Sequence, residues 1–161
     1  MNLLLIVSLL ILQLVIPPGF FYHRVKPDFL LIYSVIIGLV SGIKHGTLSG
    51  FTVGLLQDLF LDGMFGIFTI VKTFVGGLAG LMEGLVFKEK IIIPPFVIFF
   101  ATIAHETLLI FLSEDMLFSI NYLNALKFII LPEALLNALI GLIFYYIYYK
   151  INLSGGNNYE Q

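Results

Sequence analysis

The sequence predicts an all-α integral membrane protein, a bundle of six transmembrane helices. Three observations carry that reading. Of 161 residues, 60% are hydrophobic and 11% charged, against ~45–50% and ~25% in a soluble domain, so too little polar surface exists to cover a soluble globule. Mean hydropathy is +1.06. The apolar stretches are long and continuous rather than alternating, which favours helices over a barrel. The same composition excludes a soluble enzyme. The absence of cysteine excludes a disulfide scaffold, a thiolate metal site and a cysteine nucleophile. A net charge of −2 without a basic run makes nucleic acid an unexpected partner.

A spanning helix needs ~20 apolar residues to cross a hydrocarbon core ~30 Å thick. The first span runs from Leu3 to Ile16 and is closed by Pro17-Pro18-Gly19. It has no Lys or Arg ahead of it and no small-residue cleavage site, so it reads as a retained helix rather than a signal peptide. The second runs from Asp28 to Ile43 and the third from Thr47 to Leu61, with the turn at Lys44-His45. Both are short and Gly-rich, and a single re-entrant hairpin is the alternative. The fourth is Gly66 to Phe87, the fifth Ile91 to Leu112, and the sixth Ala125 to Tyr149. Residues 1–150 thus read as one six-helix transmembrane domain, and 151–161 as a disordered cytoplasmic tail.

Orientation follows the Lys/Arg bias of short loops. With the N-terminus inside, the inner segments hold Lys44, Lys88, Lys90 and Lys150, and the outer ones Arg24 and Lys26, with Lys127 at a border. Six spans then put both termini in the cytoplasm. Tyr145, Tyr146, Tyr148 and Tyr149 form an inner aromatic cluster, and Phe20, Phe21 and Tyr22 an outer one.

Gly38, Gly42, Gly46, Gly50 and Gly54 recur every four residues, as do Gly76, Gly80 and Gly84. Residues four apart share a helix face, and a glycine face lets two membrane helices approach closely. Two uses are open: packing within the subunit, or a face for another protein.

A charge in the bilayer core costs ~2.5–3.5 kcal/mol even on the lenient insertion scale. Asp58, Lys72, His105, Glu106 and Glu133 are the candidates. At the helical rise per residue, Asp58, Lys72, Glu106 and Glu133 all fall in the outer half of the membrane. They are expected to form a polar layer in which Lys72 pairs with Asp58 or Glu106. A structural ion pair, a pocket for a ligand or lipid head group, and a proton relay are the readings of such a layer. Catalytic motifs are weak. His105-Glu106-Thr107-Leu108-Leu109 starts like a zinc-protease helix but has Leu109 where the second His belongs. Asp58 and Asp62 lack a matching second acidic motif. Neither an enzymatic role, a metal nor a cofactor is expected.

The stretch Pro27-Asp28-Phe29-Leu30-Leu31-Ile32, then Gly38, Gly46, Gly50-Phe51-Thr52-Val53-Gly54-Leu55-Leu56-Gln57-Asp58, Gly66, Lys72-Thr73, Gly76 and Gly80 resembles the rod shape-determining protein MreD family. Pro132-Glu133-Ala134-Leu135-Leu136-Asn137 is similar to that family's last helix and adds Asn137 to the polar layer. The resemblance implies a non-enzymatic component of the bacterial cell-elongation machinery in the inner membrane. It implies MreC as direct partner, and MreB, RodA and its penicillin-binding transpeptidase as indirect ones, besides membrane lipids. It further implies a fold similar to the substrate-binding subunits of energy-coupling-factor transporters. The alternative function is such a vitamin-binding subunit. Those share an Ala-x-x-x-Ala face on the first helix, and here that helix has no alanine.

Overall fold

The computed structural model describes residues 3–16, 25–60, 65–85, 92–113 and 121–156. Helices and turns account for the regular structure among them. α1 (Leu3–Val15) buries Ile6, Leu9, Leu10 and Gln13, the spacing of one helical face. That face packs against Phe29, Leu30 and Val53.

α2 (Phe29–Phe60) follows, and its backbone breaks at Gly42, φ 83° and ψ −178°. Only glycine takes such a positive φ without strain. The break is a reversal. A methyl group added to Gly46 would lie 2.8 Å from the Gly38 Cα, whereas residues eight apart in one straight helix are separated by ~12 Å. α2 is therefore a hairpin of two antiparallel arms, 29–41 and 43–60. The reversal expected at Lys44-His45 sits at Gly42 instead, because the corner needs a left-handed residue. His45 lies in the second arm, its Nδ1 2.8 Å from the Ser41 carbonyl.

α3 (Ile67–Leu81) packs against both arms of this hairpin. Gly54, Gly50 and Gly46 face Phe68, Lys72 and Gly76 in turn, so the second arm runs antiparallel to it. α3 ends at Leu81, and a short 3-10 turn spans Glu83–Leu85. The helix expected as far as Phe87 is thus shorter, and the Met82 N–H turns back to the Ala79 and Gly80 carbonyls.

α4 (Ile93–Leu112) opens on Pro94 and Pro95, which suit a first turn whose N–H groups have no partner. α5 (Tyr122–Ala125) is capped by the Asn121 side chain, which accepts from the Leu123 N–H at 3.1 Å. A π turn over Leu126–Ile130 joins it to α6 (Leu131–Gly156). Pro132 accounts for the widening: in a regular α-helix its ring would clash with the Phe128 carbonyl four residues back. α6 continues to Gly156, past the Lys150 boundary read from composition.

The main core joins Leu31, Val35 and Leu39 of α2, Val71 and Val75 of α3, Val97 and Ile98 of α4, and Tyr145 of α6. By length and composition alone, the helical segments Phe29–Phe60, Ile93–Leu112 and Tyr122–Lys150 could each cross a membrane, though the reversal at Gly42 divides the first into two arms; Leu3–Val15 and Ile67–Leu81 are shorter apolar helices. The Pro17-Pro18-Gly19 stop, the Phe20-Phe21-Tyr22 cluster, Arg24, Asp62, Lys88, Lys90 and residues 157–161 lie outside the described residues.

Candidate functional site

The polar layer is organised around Asp28, which is not among the five intramembrane charges expected from the sequence. Asp28 precedes α2, and its Oδ1 accepts the Leu31 N–H at 2.8 Å, closing the first turn as an N-cap does. Its Oδ2 accepts from the Lys72 ammonium. Lys72 has 0% exposure, so both charges are paired away from water. The expected pairing of Lys72 with Asp58 or Glu106 is corrected here. The hairpin at Gly42 brings the start of α2, rather than its end, to the second turn of α3.

Around this ion pair the layer spreads to α4 and α6. The Asp28 N–H donates to Asn137 Oδ1 at 3.0 Å, and Asn137 Nδ2 donates to Thr102 Oγ1 at 3.3 Å. Thr102 in turn donates to the Ile98 carbonyl. His105 Nδ1 lies 2.9 Å from Glu106 Oε1. Glu133 is buried within electrostatic reach of Glu106, Asp28, Lys72 and Lys26. Lys72, His105, Glu106, Glu133 and Asn137 are thus brought together, with Asp28 and Thr102 added. On the α1 side, Gln13 Oε1 accepts from the Leu30 N–H at 3.4 Å. Two buried atoms have no partner among the described residues, His105 Nε2 and Gln57 Oε1.

Asp58 stands apart. Its Oδ1 accepts the Phe68 N–H at 3.1 Å and its Oδ2 the Thr69 N–H at 2.8 Å, besides the Thr69 hydroxyl. It caps α3 from the end of α2, where Gly66 offers no side chain for the task. Among the described residues no group of three acidic, His or Cys side chains could hold a metal.

The glycine ladders meet inside the molecule. A methyl on Gly38 would lie 2.6 Å from the Gly76 carbonyl oxygen, and one on Gly80 2.5 Å from the Ile43 backbone; Gly46 and Gly76 abut each other. Gly42 lies against the Glu83 carboxylate. Gly84 is the exception. It lies in the 3-10 turn beyond α3, with open space where a side chain would stand, so Gly76, Gly80 and Gly84 do not form one helix face.

A family model described as rod shape-determining protein MreD matches residues 1–152. The chain belongs to the MreD family. Neither the curated proteins nor the solved structures compared with it contain a match. Membership makes this a membrane protein of the cell-shape machinery, in a family that is structural in role. In this MreD-family chain the stretch from Pro27 to Gly80 builds both the α2–α3 glycine interface and the Asp28–Lys72 pair. Asp28 carries a signal that could have found it: an Asp between a proline and an apolar run is a helix N-cap pattern. Thr102 and Gln57 carry none beyond being polar amid apolar neighbours.

Proposed function

We propose that the chain is a non-enzymatic membrane component of the bacterial cell-elongation machinery, binding MreC and through it linking MreB filaments to RodA and its penicillin-binding transpeptidase. The family match over residues 1–152 carries this reading. In the same reading residues 1–150 form one transmembrane domain of six spans, arranged as in energy-coupling-factor substrate-binding subunits, with both termini in the cytoplasm. Six helical limbs support the count: α1, the two arms of α2, α3, α4 and the run from α5 through α6. The polar layer serves as a structural tie, since Asp28 hydrogen-bonds or ion-pairs with residues of α2, α3 and α6.

With Gly76 and Gly80 used internally, the surface for a partner helix falls on α1 or α6. Both expose apolar side chains, such as Leu4 and Val15 on α1 and Leu139 and Ile143 on α6. Such a contact works by close packing and a few interhelical hydrogen bonds. Affinity purification in mild detergent followed by mass spectrometry tests the reading. MreC and wall-synthesis proteins in the eluate are expected. A transporter ATPase pair in their place would overturn it in favour of a vitamin-transporter subunit.

A further inference from the structure

α4 and α6 pack antiparallel in a register that two contacts fix. A methyl on Gly141 would lie 2.3 Å from Ile98 Cδ1, and Asn137 Nδ2 donates to Thr102 Oγ1 at 3.3 Å. From the first contact to the second is four residues back along α6 and four forward along α4, about one helical turn on each. One further such step pairs Glu133 with Glu106. Of the charges around Glu133, that of Glu106 acts on it most strongly, ahead of Asp28, Lys72 and Lys26. Two carboxyl groups therefore face each other across the seam, one turn beyond Asn137.

Nothing nearby balances a second negative charge there. Lys72 is engaged by Asp28. Lys26, partly buried ahead of α2, forms no ion pair among the described residues, and of the four charges its own acts on Glu133 least. His105 Nδ1 reaches Glu106 Oε1 at 2.9 Å, but its Nε2 is buried without a partner among the described residues. An imidazolium would turn that atom into a buried N–H with no acceptor, which is costly, so His105 gives Glu106 a hydrogen bond without a compensating charge. Glu133 is 9% exposed and makes neither a hydrogen bond nor an ion pair among the described residues. Two carboxylates that share a site out of water do not both ionise. A metal ion or a proton could remove the excess charge. A metal needs more donors than the pair offers, and no group of three acidic, His or Cys side chains among the described residues could supply them. A proton needs only the two carboxyl groups.

We propose that Glu106 and Glu133 form a proton-binding site, with one exchangeable proton held between the two carboxyl groups at neutral pH. Glu133, the more buried, carries it. Glu106, hydrogen-bonded to His105 and with its side chain 20% exposed, is the carboxylate and gives the proton its way in and out. Loss of the proton sets two like charges against each other on facing positions of α4 and α6. The stability that the proton supplies is thus present while it is bound and lost as pH rises.

The test uses the full chain in mild detergent, with the carboxylic-acid carbonyl band read by infrared spectroscopy and stability by thermal unfolding, both across pH. The wild type is expected to show the band at neutral pH and to lose it on the alkaline side, its unfolding temperature falling over the same interval. Glu133→Gln, which keeps a neutral side chain of the same shape, should remove the band and flatten that fall. Glu106→Gln takes away the like charge and should weaken proton binding about tenfold, so that the band is lost about one pH unit lower. Lys26→Met should do the opposite and hold the band to higher pH. Absence of the band at neutral pH, or a Glu133 band whose loss is indifferent to Glu106→Gln, would overturn the proposal. So would a rise in unfolding temperature with sodium or magnesium ions that Glu133→Gln abolishes, the mark of a bound cation in place of the proton.

Discussion

At Lys72 a full positive charge is held at 0% exposure by one carboxylate, and removing either partner leaves the other buried alone. In soluble proteins that costs ~3–5 kcal/mol. Lys72→Met is therefore expected to lower the unfolding temperature in detergent strongly. Asp28→Asn in the Lys72→Met background should recover part of the loss, since Asn still caps α2 and no charge is stranded. An additive pair of effects in that double-mutant cycle would show that the two residues are not coupled. A second residue-scale expectation concerns Gly42. Alanine there must take a φ of 83° and push its methyl into the Glu83 carboxylate. The backbone alone costs ~1–3 kcal/mol in this essentially glycine-only region, so Gly42→Ala should be less stable than wild type by at least about 1 kcal/mol in the same unfolding assay.

Among elements, the α2–α3 contact separates what the sequence could reveal from what it could not. Glycines at four-residue spacing announce close helix packing, and Gly38, Gly46, Gly50, Gly54, Gly76 and Gly80 do pack backbone to backbone. The same spacing carries Gly84 along, because periodicity does not say where a helix stops; α3 stops at Leu81. The polar layer shows a similar division. Rise per residue gives Lys72, Glu106 and Glu133 similar expected depths, but which carboxylate meets Lys72 depends on the reversal at Gly42, a single backbone conformation. By composition Asp58 reads as a layer charge, but its oxygens are taken up by the N-terminal N–H groups of α3. Two substitutions follow. Gly80→Leu should reduce folded yield and partner recovery in parallel, while Gly84→Leu leaves folded yield unchanged, both read by size-exclusion chromatography of the detergent-solubilised protein. Asp58→Ala removes a helix cap and should cost ~0.5–2 kcal/mol in thermal unfolding.

For the whole molecule, the proposed six spans and the lysine bias of the short loops lead to the expectation that both ends lie on the cytoplasmic side. A reporter active only in the cytoplasm, fused after the last residue, is expected to be active, and its periplasmic counterpart silent; the reverse would invert the molecule. The composition alone identified a helical membrane protein, because 11% charge cannot clothe a soluble surface. The short first helix was legible, Leu3 to Ile16 against the 13 residues of α1, but composition could not reveal that α3 is only 15 residues long; the two are about 20 and 22 Å. Helices that short span a bilayer only where it thins or where flanking residues extend the crossing.

The Asp28–Lys72 pair also bears on how the chain enters the membrane. Residues leave the ribosome from the N-terminus, so Asp28, at the head of α2, is already in place when Lys72 arrives on α3. The insertion penalty of a lone lysine, ~2.5–3.5 kcal/mol at a helix centre, is met by a counter-ion that preceded it. The glycine cleft between the two α2 arms is likewise complete before the helix that fills it is made. Residues 25–85 therefore contain everything needed to neutralise their own buried lysine, and α4 and α6 are added to a half whose charge is already balanced. Moving the acid to a position later in the chain, with the lysine left where it is, would leave the same final pair but strand the cation during synthesis.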